Sequence, residues 1–297
     1  MPLTLVPTPI GNLEDITLRA LRTLREADVI ACEDTRTSSV LLKRYAITGK
    51  PLISLHLYNE KERTRRLLAL LAEGKNVAVV SDAGTPGISD PGFLLLRGAL
   101  DAGFGADVLP GPSALLPAVL LSGLPPQPFL FCGFPPEKPG QRRKLFASLT
   151  SCPYTTVFYI SPHKAQRRTA ELAELWGARR AALVREISKI HQEAIRGLLS
   201  EIAERAGQGL KGEMVLVVEG CPEPEPASWR EEAEELLDGG LSVRTAAREI
   251  AERRGVPKNA VKDFLLEISG ARAGGPAAPK NRKDDDDKND DDVEGTI

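Results

Sequence analysis

The clearest indication of the fold comes from the stretch NVAVVSDAGTPGISDPG, residues 76–92. Its first part, Asn76–Val80, is a short apolar run typical of a strand that is buried on both faces. The run leads directly into residues 81–92, which contain three glycines, two prolines and two aspartates. A loop of this composition gives up regular hydrogen bonding and exposes backbone groups. The stretch therefore predicts a strand, extending over Asn76–Asp82, with a ligand-binding loop at its carboxyl end.

Strands and helices alternate through the first 125 residues of the sequence. The other strands are predicted at Leu3–Val6, Asp28–Glu33, Pro51–Leu55 and Ala106–Leu109. Segments with helical periodicity lie between them, such as the one that starts at the N-cap residue Asn59 and stops at Gly74. This alternation predicts a mainly parallel sheet with helices on both faces.

Proline-rich segments divide the chain into predicted domains. An N-terminal α/β domain is expected over residues 1–123, and the segment GLPPQPF after it is a linker. A second, smaller α/β domain follows over residues 128–221 and includes a helix around residues 196–206. Residues 228–270 are expected to be helical, and the acidic residues 271–297 to be disordered.

The helical segment 228–270 has a break at Gly255-Val256-Pro257. Two short helices about a tight glycine turn predict a helix-turn-helix. The spacing leaves two roles open, which are contact with nucleic acid and packing within the protein.

Composition limits the class of protein. Hydrophobic residues make up 42% of the 297 residues, and no apolar run reaches the ~18 residues that span a bilayer. The four cysteines are far apart and form no C-x-x-C pair, which predicts no zinc site and a cytoplasmic, reducing compartment. The tail from Lys280 holds eight acidic residues against four basic ones, so residues 1–279 carry a charge of +2, against −2 for the whole chain. A slightly basic body permits an RNA partner.

Three irregular loops, at residues 7–12, 81–92 and 110–114, each follow a predicted strand of the first domain. Such loops meet at the carboxyl edge of an open α/β sheet, where ligands bind. The sequence has neither a G-x-G-x-x-G nor a P-loop motif, and the three loops contain no Lys or Arg. These features favour a ligand without phosphate groups. S-adenosylmethionine is one such ligand, and Asp82 is expected to accept a hydrogen bond from its hydroxyl or ammonium groups.

Clustered polar residues at two further strand ends indicate a substrate cleft, with ordinary solvated loops as the alternative. The motif ACEDTR contributes Glu33, Asp34 and Arg36, and the motif SLHLYNE contributes His56 and Glu60. Among the charged residues of the second domain, Glu186 is a further catalytic candidate. The three histidines of the chain show no metal-ligand spacing, and no metal is expected.

Six motifs in order carry a family resemblance. They are VPTPIGNLEDIT, DVIACEDTR, VSDAGTPGISDPG, LPGPSA, FCGFPPEK and KGEMVLVVEG. With this series the chain, over roughly residues 3–269, resembles the tetrapyrrole-methylase-type methyltransferases, and within them a branch that methylates a cytidine ribose of small-subunit ribosomal RNA.

The resemblance implies two α/β domains with an S-adenosylmethionine cleft between them, a C-terminal helix-turn-helix and a homodimer. The residues that it places against the cofactor are Pro9, Gly11, Ala83, Gly84, Thr85, Pro86, Ile88, Gly111 and Ser113. Arg142, Arg143 and Lys144 are expected to hold the RNA by salt-dependent contacts. Two alternatives remain open, a methyltransferase acting on small molecules and a module that binds nucleotides or RNA without catalysis.

Overall fold

The first sheet of the protein is formed by the N-terminal part of the chain. Residues 1–222 and 228–272 are described by a computed structural model. The strands are β1 (Leu3–Leu5), β2 (Val29–Cys32), β3 (Leu52–Ser54), β4 (Val77–Val80) and β5 (Ala106–Val108). They lie in the order β3-β2-β4-β1-β5 and pair in parallel throughout. The predicted parallel α/β architecture is confirmed, and each strand lies within its predicted range.

Helices cover both faces of this sheet. They are α1 (Leu18–Glu26), α2 (Thr35–Arg44), α3 (Glu60–Ala72) and α4 (Phe93–Asp101), and the helix after β5 is α5 (Leu115–Ser122). Val77 and Val79 of β4 belong to the core that α3 and α4 cover, whereas Ala78 and Val80 belong to the core that α1 and α2 cover. Because the chain leaves the neighbouring strands β1 and β4 towards opposite faces, a crevice opens between their carboxyl ends.

The second sheet is mixed. Its strands are β6 (Phe129–Phe131), β7 (Thr155–Ile160), β8 (Arg180–Arg185), β9 (Glu193–Leu198) and β10 (Met214–Val218). They lie in the order β6-β7-β10-β8-β9; among the described strands of this second sheet β6 and β7 pair in parallel and the other neighbours are antiparallel. The helices α6 (Pro139–Ser148), α7 (Ala165–Trp176) and α8 (Leu199–Ala206) complete this second α/β part.

The prediction of a helix around residues 196–206 is wrong at the start of the helix. Residues 193–198 form β9, which pairs with β8 along its whole length, and α8 begins only at Leu199. The segment EAIRGL is rich in residues that favour helices, but pairing with a neighbouring strand overrides that local preference. The carboxylate of Glu201 accepts a hydrogen bond from the N–H of Leu198, which marks the start of the helix.

Helix α5 connects the two sheets. Its residues fall within the predicted N-terminal domain, yet Ala118 and Val119 are buried against strands β7, β8 and β10 of the second sheet. The second sheet, which forms the other wall of the crevice, is therefore held in position by its packing against α5 as well as by the linker.

The C-terminal helical unit consists of α9 (Trp229–Asp238), α10 (Val243–Arg254) and α11 (Lys258–Arg272). Its small core is built from Ala233, Ala246, Ala247, Ile250, Val261 and Leu265. Gly255 has a φ of +65° at the turn between α10 and α11, as expected for the predicted helix-turn-helix. Residues 273–297, predicted to be disordered, lie outside the described residues. In the part of the chain that the structure describes, no helix is both long and apolar enough to cross a membrane.

Candidate active site

The loops that follow β1, β4 and β5 lie side by side, because those three strands are neighbours in the sheet. Thr8 and Gly84 exchange backbone hydrogen bonds of 2.9 Å in both directions, and the Thr8 hydroxyl donates to the Ser81 carbonyl at 3.0 Å. Gly84 has a φ of +78°, a conformation that favours glycine. A side chain on Gly111 would put its Cβ 2.8 Å from Cβ of Pro7, so glycine there lets two loops approach closely.

A cavity of about 540 Å³ opens between these loops and the second sheet. The first sheet contributes Ile10, Glu33, Asp82, Ala83, Gly84, Thr85, Ile88, Ser89, Asp90, Ser113, Ala114 and Leu115 to its wall. The second contributes Phe131, Phe134, Tyr159, Ile160, Ser161, Pro162, Ile187, Glu213, Met214 and Val215. Of the predicted cofactor contacts, Asp82, Ala83, Gly84, Thr85, Ile88 and Ser113 line the cavity. Pro9, Gly11, Pro86 and Gly111 are not in its wall.

The charge of the cavity wall is acidic. Four carboxylates line it, those of Glu33, Asp82, Asp90 and Glu213, and no Lys or Arg does so among the described residues. Burial raises the pKa of Glu33 and of Asp82. Burial, followed by the negative charges of Glu33, Asp82 and Glu213, raises the pKa of Asp90 to about 6. A wall of this kind favours a positively charged ligand and disfavours a phosphate.

The ACEDTR motif divides between the cavity and the surface. Glu33 faces the cavity, whereas Asp34 begins α2, accepts a hydrogen bond from the N–H of Arg36 at 2.8 Å, and pairs with the Arg36 guanidinium. These contacts lower the pKa of Asp34 to about 2. The N–H of Asp34 donates to Asp82 at 3.2 Å, which ties the two loops together. A carboxyl group with such a low pKa is a weak base, so Asp34 is poorly suited to take a proton.

Three further catalytic candidates do not line the cavity. His56 packs beside Asn59, with Nε2 and Nδ2 3.1 Å apart. Glu60 is buried, and its Oε1 accepts hydrogen bonds from the N–H of Gly92 at 2.8 Å and of Leu94 at 3.3 Å, so it holds the loop to the start of α4. Glu186 pairs with Lys189 at 3.0 Å on the loop after β8.

Residues that sequence reasoning missed lie mainly on the second sheet. Tyr159 packs against Phe131 and Phe134, with ring centroids 4.9 and 5.5 Å away. No pattern in these short aromatic runs showed which side chains would face the cavity. Asp90, by contrast, lies in the loop 81–92 that the sequence indicated as ligand-binding. It is the second aspartate of that loop, and this position could have identified it as a site residue from the sequence.

Comparison with known proteins identifies the family. Residues 2–203 match the model of the tetrapyrrole (corrin/porphyrin) methylases. Ribosomal RNA small subunit methyltransferase I of Halalkalibacterium halodurans is 40% identical over 265 residues, 86% of this chain and 91% of the relative. The protein of the same name from Thermotoga maritima is 47% identical over 219 residues, 73% of this chain and 98% of the relative. The chain belongs to the ribosomal RNA small subunit methyltransferase I family, within the tetrapyrrole methylases.

This membership confirms the resemblance that the six motifs carried and makes the chain a methyltransferase. The uroporphyrin-III C-methyltransferase of Thermus thermophilus, solved with S-adenosyl homocysteine, is similar in structure with a TM-score of 0.52 and 23% identity. The similarity covers 73% of this chain and 97% of that one, and it shows a shared tetrapyrrole methylase fold.

The structure corrects the RNA-contact role predicted for Arg142. The side chain is buried, pairs with Glu171, and donates to the carbonyls of Pro136 at 2.9 Å and Glu137 at 2.8 Å. All three nitrogens of this guanidinium already donate within the protein, and the side chain is buried away from any phosphate. Its neighbours Arg143 and Lys144 are exposed, and Arg143 lies 3.6 Å from Glu174. In this methyltransferase, therefore, two of the three basic residues of α6 are exposed and one is buried.

Alanine substitution separates these two kinds of arginine. We expect Arg142→Ala to lower the free energy of unfolding by about 3 kcal/mol, because it removes the buried guanidinium from Glu171 and leaves the carbonyls of Pro136 and Glu137 without these donors. Arg143→Ala, the matched control, should change it by less than ~0.5 kcal/mol. Urea denaturation measures both. Equal effects of the two substitutions would contradict the structural role of Arg142.

The raised pKa of Asp90 predicts a pH-dependent gain in stability for Asp90→Asn. Because the folded-state pKa of about 6 lies above the ordinary value of 3.8, ionised Asp90 destabilises the fold above pH 6, and this cost fades as the pH falls towards 4. The full shift corresponds to about 3 kcal/mol. Since the group is partly solvated and screened, we expect Asp90→Asn to gain about 1 kcal/mol at pH 8.

The gain of Asp90→Asn should shrink towards zero near pH 4, as measured by urea denaturation across this range. Asp101→Asn, an exposed control on α4, should change stability by less than ~0.5 kcal/mol at either pH. A loss of stability in Asp90→Asn at pH 8 would show that Asp90 is stabilised by a partner instead.

Proposed function

We propose that this protein transfers a methyl group from S-adenosylmethionine to the 2′-hydroxyl of a cytidine ribose in small-subunit ribosomal RNA. The observation that carries the proposal is the acidic cavity at the strand ends, which suits a cationic ligand without phosphates. The relatives from H. halodurans and T. maritima support the RNA substrate, since they are methyltransferases of small-subunit ribosomal RNA. The neighbour that binds S-adenosyl homocysteine supports the cofactor.

The donor set of the cavity fits S-adenosylmethionine. Asp82 and Ser113 accept hydrogen bonds from its hydroxyl or ammonium groups, and residues 83–85 with Ile88 offer backbone and apolar contact. Gly111, outside the wall, acts by letting its loop approach Pro7 closely. When bound, the cofactor supplies a methyl group on a sulfonium cation, whose leaving group is a neutral thioether that requires neither an acid nor a metal. The protein's task is therefore to align the hydroxyl and take its proton.

Basic residues outside the cavity hold the RNA. Arg143 and Lys144 on α6 and Arg36 beside the cleft are exposed and supply phosphate contacts, which weaken as salt concentration rises. Contacts to phosphate position the RNA without reading its sequence, so the choice of nucleotide falls to the cavity. Since ribosomal RNA is a cytoplasmic partner, we place the protein in the cytoplasm.

The protein acts as a homodimer in this proposal, in line with the family resemblance. Helix α5 supports it, because Leu116 and Leu120 lie one turn apart and are 57% and 72% exposed while the other face of the helix is buried. We expect light scattering at micromolar concentration to give about twice the chain mass of 32.1 kDa. Replacing both leucines by glutamate should give the monomer mass. A wild-type protein of monomer mass would contradict the dimer.

Transfer of a labelled methyl group from S-adenosylmethionine to purified small ribosomal subunits tests the reaction. We expect the label on a cytidine ribose, as shown by nuclease digestion and mass spectrometry of the nucleosides. Thr85→Trp fills the cavity and should lower cofactor affinity at least tenfold by calorimetry, whereas Val40→Trp, at an exposed position on α2, should leave it unchanged. Label on a base atom would contradict the ribose assignment. In a parallel reaction that offers a tetrapyrrole as the acceptor, label on the tetrapyrrole but not on the subunits would favour the small-molecule alternative.

A further inference from the structure

Asp90 is one of the acidic residues of the cavity to which the proposed function gives no role. Its side chain lines the cavity from the loop between β4 and α4. Two residues further along, that loop is held by the buried carboxylate of Glu60, which accepts hydrogen bonds from Gly92 and Leu94. Because a buried group fixes the end of the loop, Asp90 is held at a defined place in the cavity wall.

The other carboxylates of the wall already have partners. Asp82 accepts a hydrogen bond from the N–H of Asp34 at 3.2 Å, and Glu213 accepts one from Lys189 at 3.0 Å. Glu33 accepts one from the N–H of Asp82. Within residues 1–222 and 228–272, Asp90 alone of the four has no hydrogen bond or ion pair. Its oxygens are therefore free to accept a proton from a ligand.

The groups around Asp90 favour its protonated form. The charges of Glu33 and Glu213 act on it from two other loops, that of Asp82 acts from its own loop, and Tyr159 is near it on β7. Burial and these charges raise the pKa of Asp90 to about 6. A carboxylate of this pKa is ionised at neutral pH and yet holds a proton better than an ordinary aspartate, as an effective general base must. Asp34, with its pKa of about 2, lacks that property.

We propose that Asp90 is the general base of the methyl transfer, an inference that rests on the proposed ribose substrate. Asp90 takes the proton of the 2′-hydroxyl while the oxygen forms its bond to the methyl carbon. The electron pair of the broken carbon–sulfur bond stays on sulfur, which becomes a neutral thioether. The sulfonium thus loses one positive charge, and the proton that Asp90 receives carries one, so the total charge is unchanged. Asp90 then passes the proton to water and regains its negative charge.

Asp90→Asn keeps the shape of the side chain and removes its basicity. At pH 7.5 on small ribosomal subunits, we expect kcat to fall about 100-fold or more, while calorimetry gives a cofactor affinity within threefold of wild type. The matched control is Asp101→Asn on the exposed face of α4, which should keep wild-type kcat. Asp90→Glu, which restores a carboxylate, should recover part of kcat.

Two pH-dependent measurements distinguish a base from a residue that only shapes the cavity. The wild-type kcat should fall with unit slope below the pKa of Asp90, and this acid limb should be absent from Asp90→Asn. Carbon-13 NMR of the aspartate carboxyl groups should show one resonance that titrates near pH 6 in the wild type and is missing in the variant.

The proposal is overturned if Asp90→Asn keeps the wild-type acid limb, or if it loses only cofactor affinity, which would make Asp90 a cofactor ligand. It is also overturned if no aspartate titrates above pH 5. Failure of the wild type to label ribose would instead contradict the proposed function, and the NMR titration would still report on Asp90.

Discussion

The reciprocal backbone hydrogen bonds between Thr8 and Gly84 are the contact on which the cavity depends. They join the loops that leave β1 and β4, at the point where the chain turns towards opposite faces of the sheet. The pairing requires backbone at Gly84 in the left-handed region, and the close approach of Pro7 requires Gly111 to lack a side chain. Bare backbone after the strand thus serves two purposes, since it locks the loops together and leaves room for a ligand beside them.

Four buried or partly buried charged groups of this protein illustrate two different situations. Glu60, Arg142 and Glu171 are engaged by hydrogen bonds or ion pairs, and they hold a loop or a helix in place. Asp90 is half-buried among like charges and has no partner among the described residues, an arrangement that costs stability. A group that the fold does not stabilise in its charged form is a common feature of active sites. The lack of a hydrogen-bond partner is therefore what distinguishes Asp90 from the carboxylates that hold the fold together.

The mixed second sheet shows where local sequence patterns stop being informative. Strand β8 has an apolar centre typical of a buried strand, whereas β9 has a helix-like composition and exists because β8 offers a free edge. The same holds for α5, whose uniformly apolar sequence gives no sign that Ala118 and Val119 would pack on the second sheet. Both features depend on contacts between residues far apart in the chain, which periodicity does not record.

The sequence by itself determined the parallel first sheet, the three loops at its carboxyl edge and the family. Strand patterns, glycine-rich turns and the individual motifs are local properties, and each can be recognised in a short stretch of consecutive residues. The tertiary structure decided which acidic residues face the cavity. Glu33 does so but Asp34 does not, and Glu60 is a buried support for the loop that carries Asp90. The direction and partners of a side chain depend on how two sheets meet, and no short stretch of the chain contains that information.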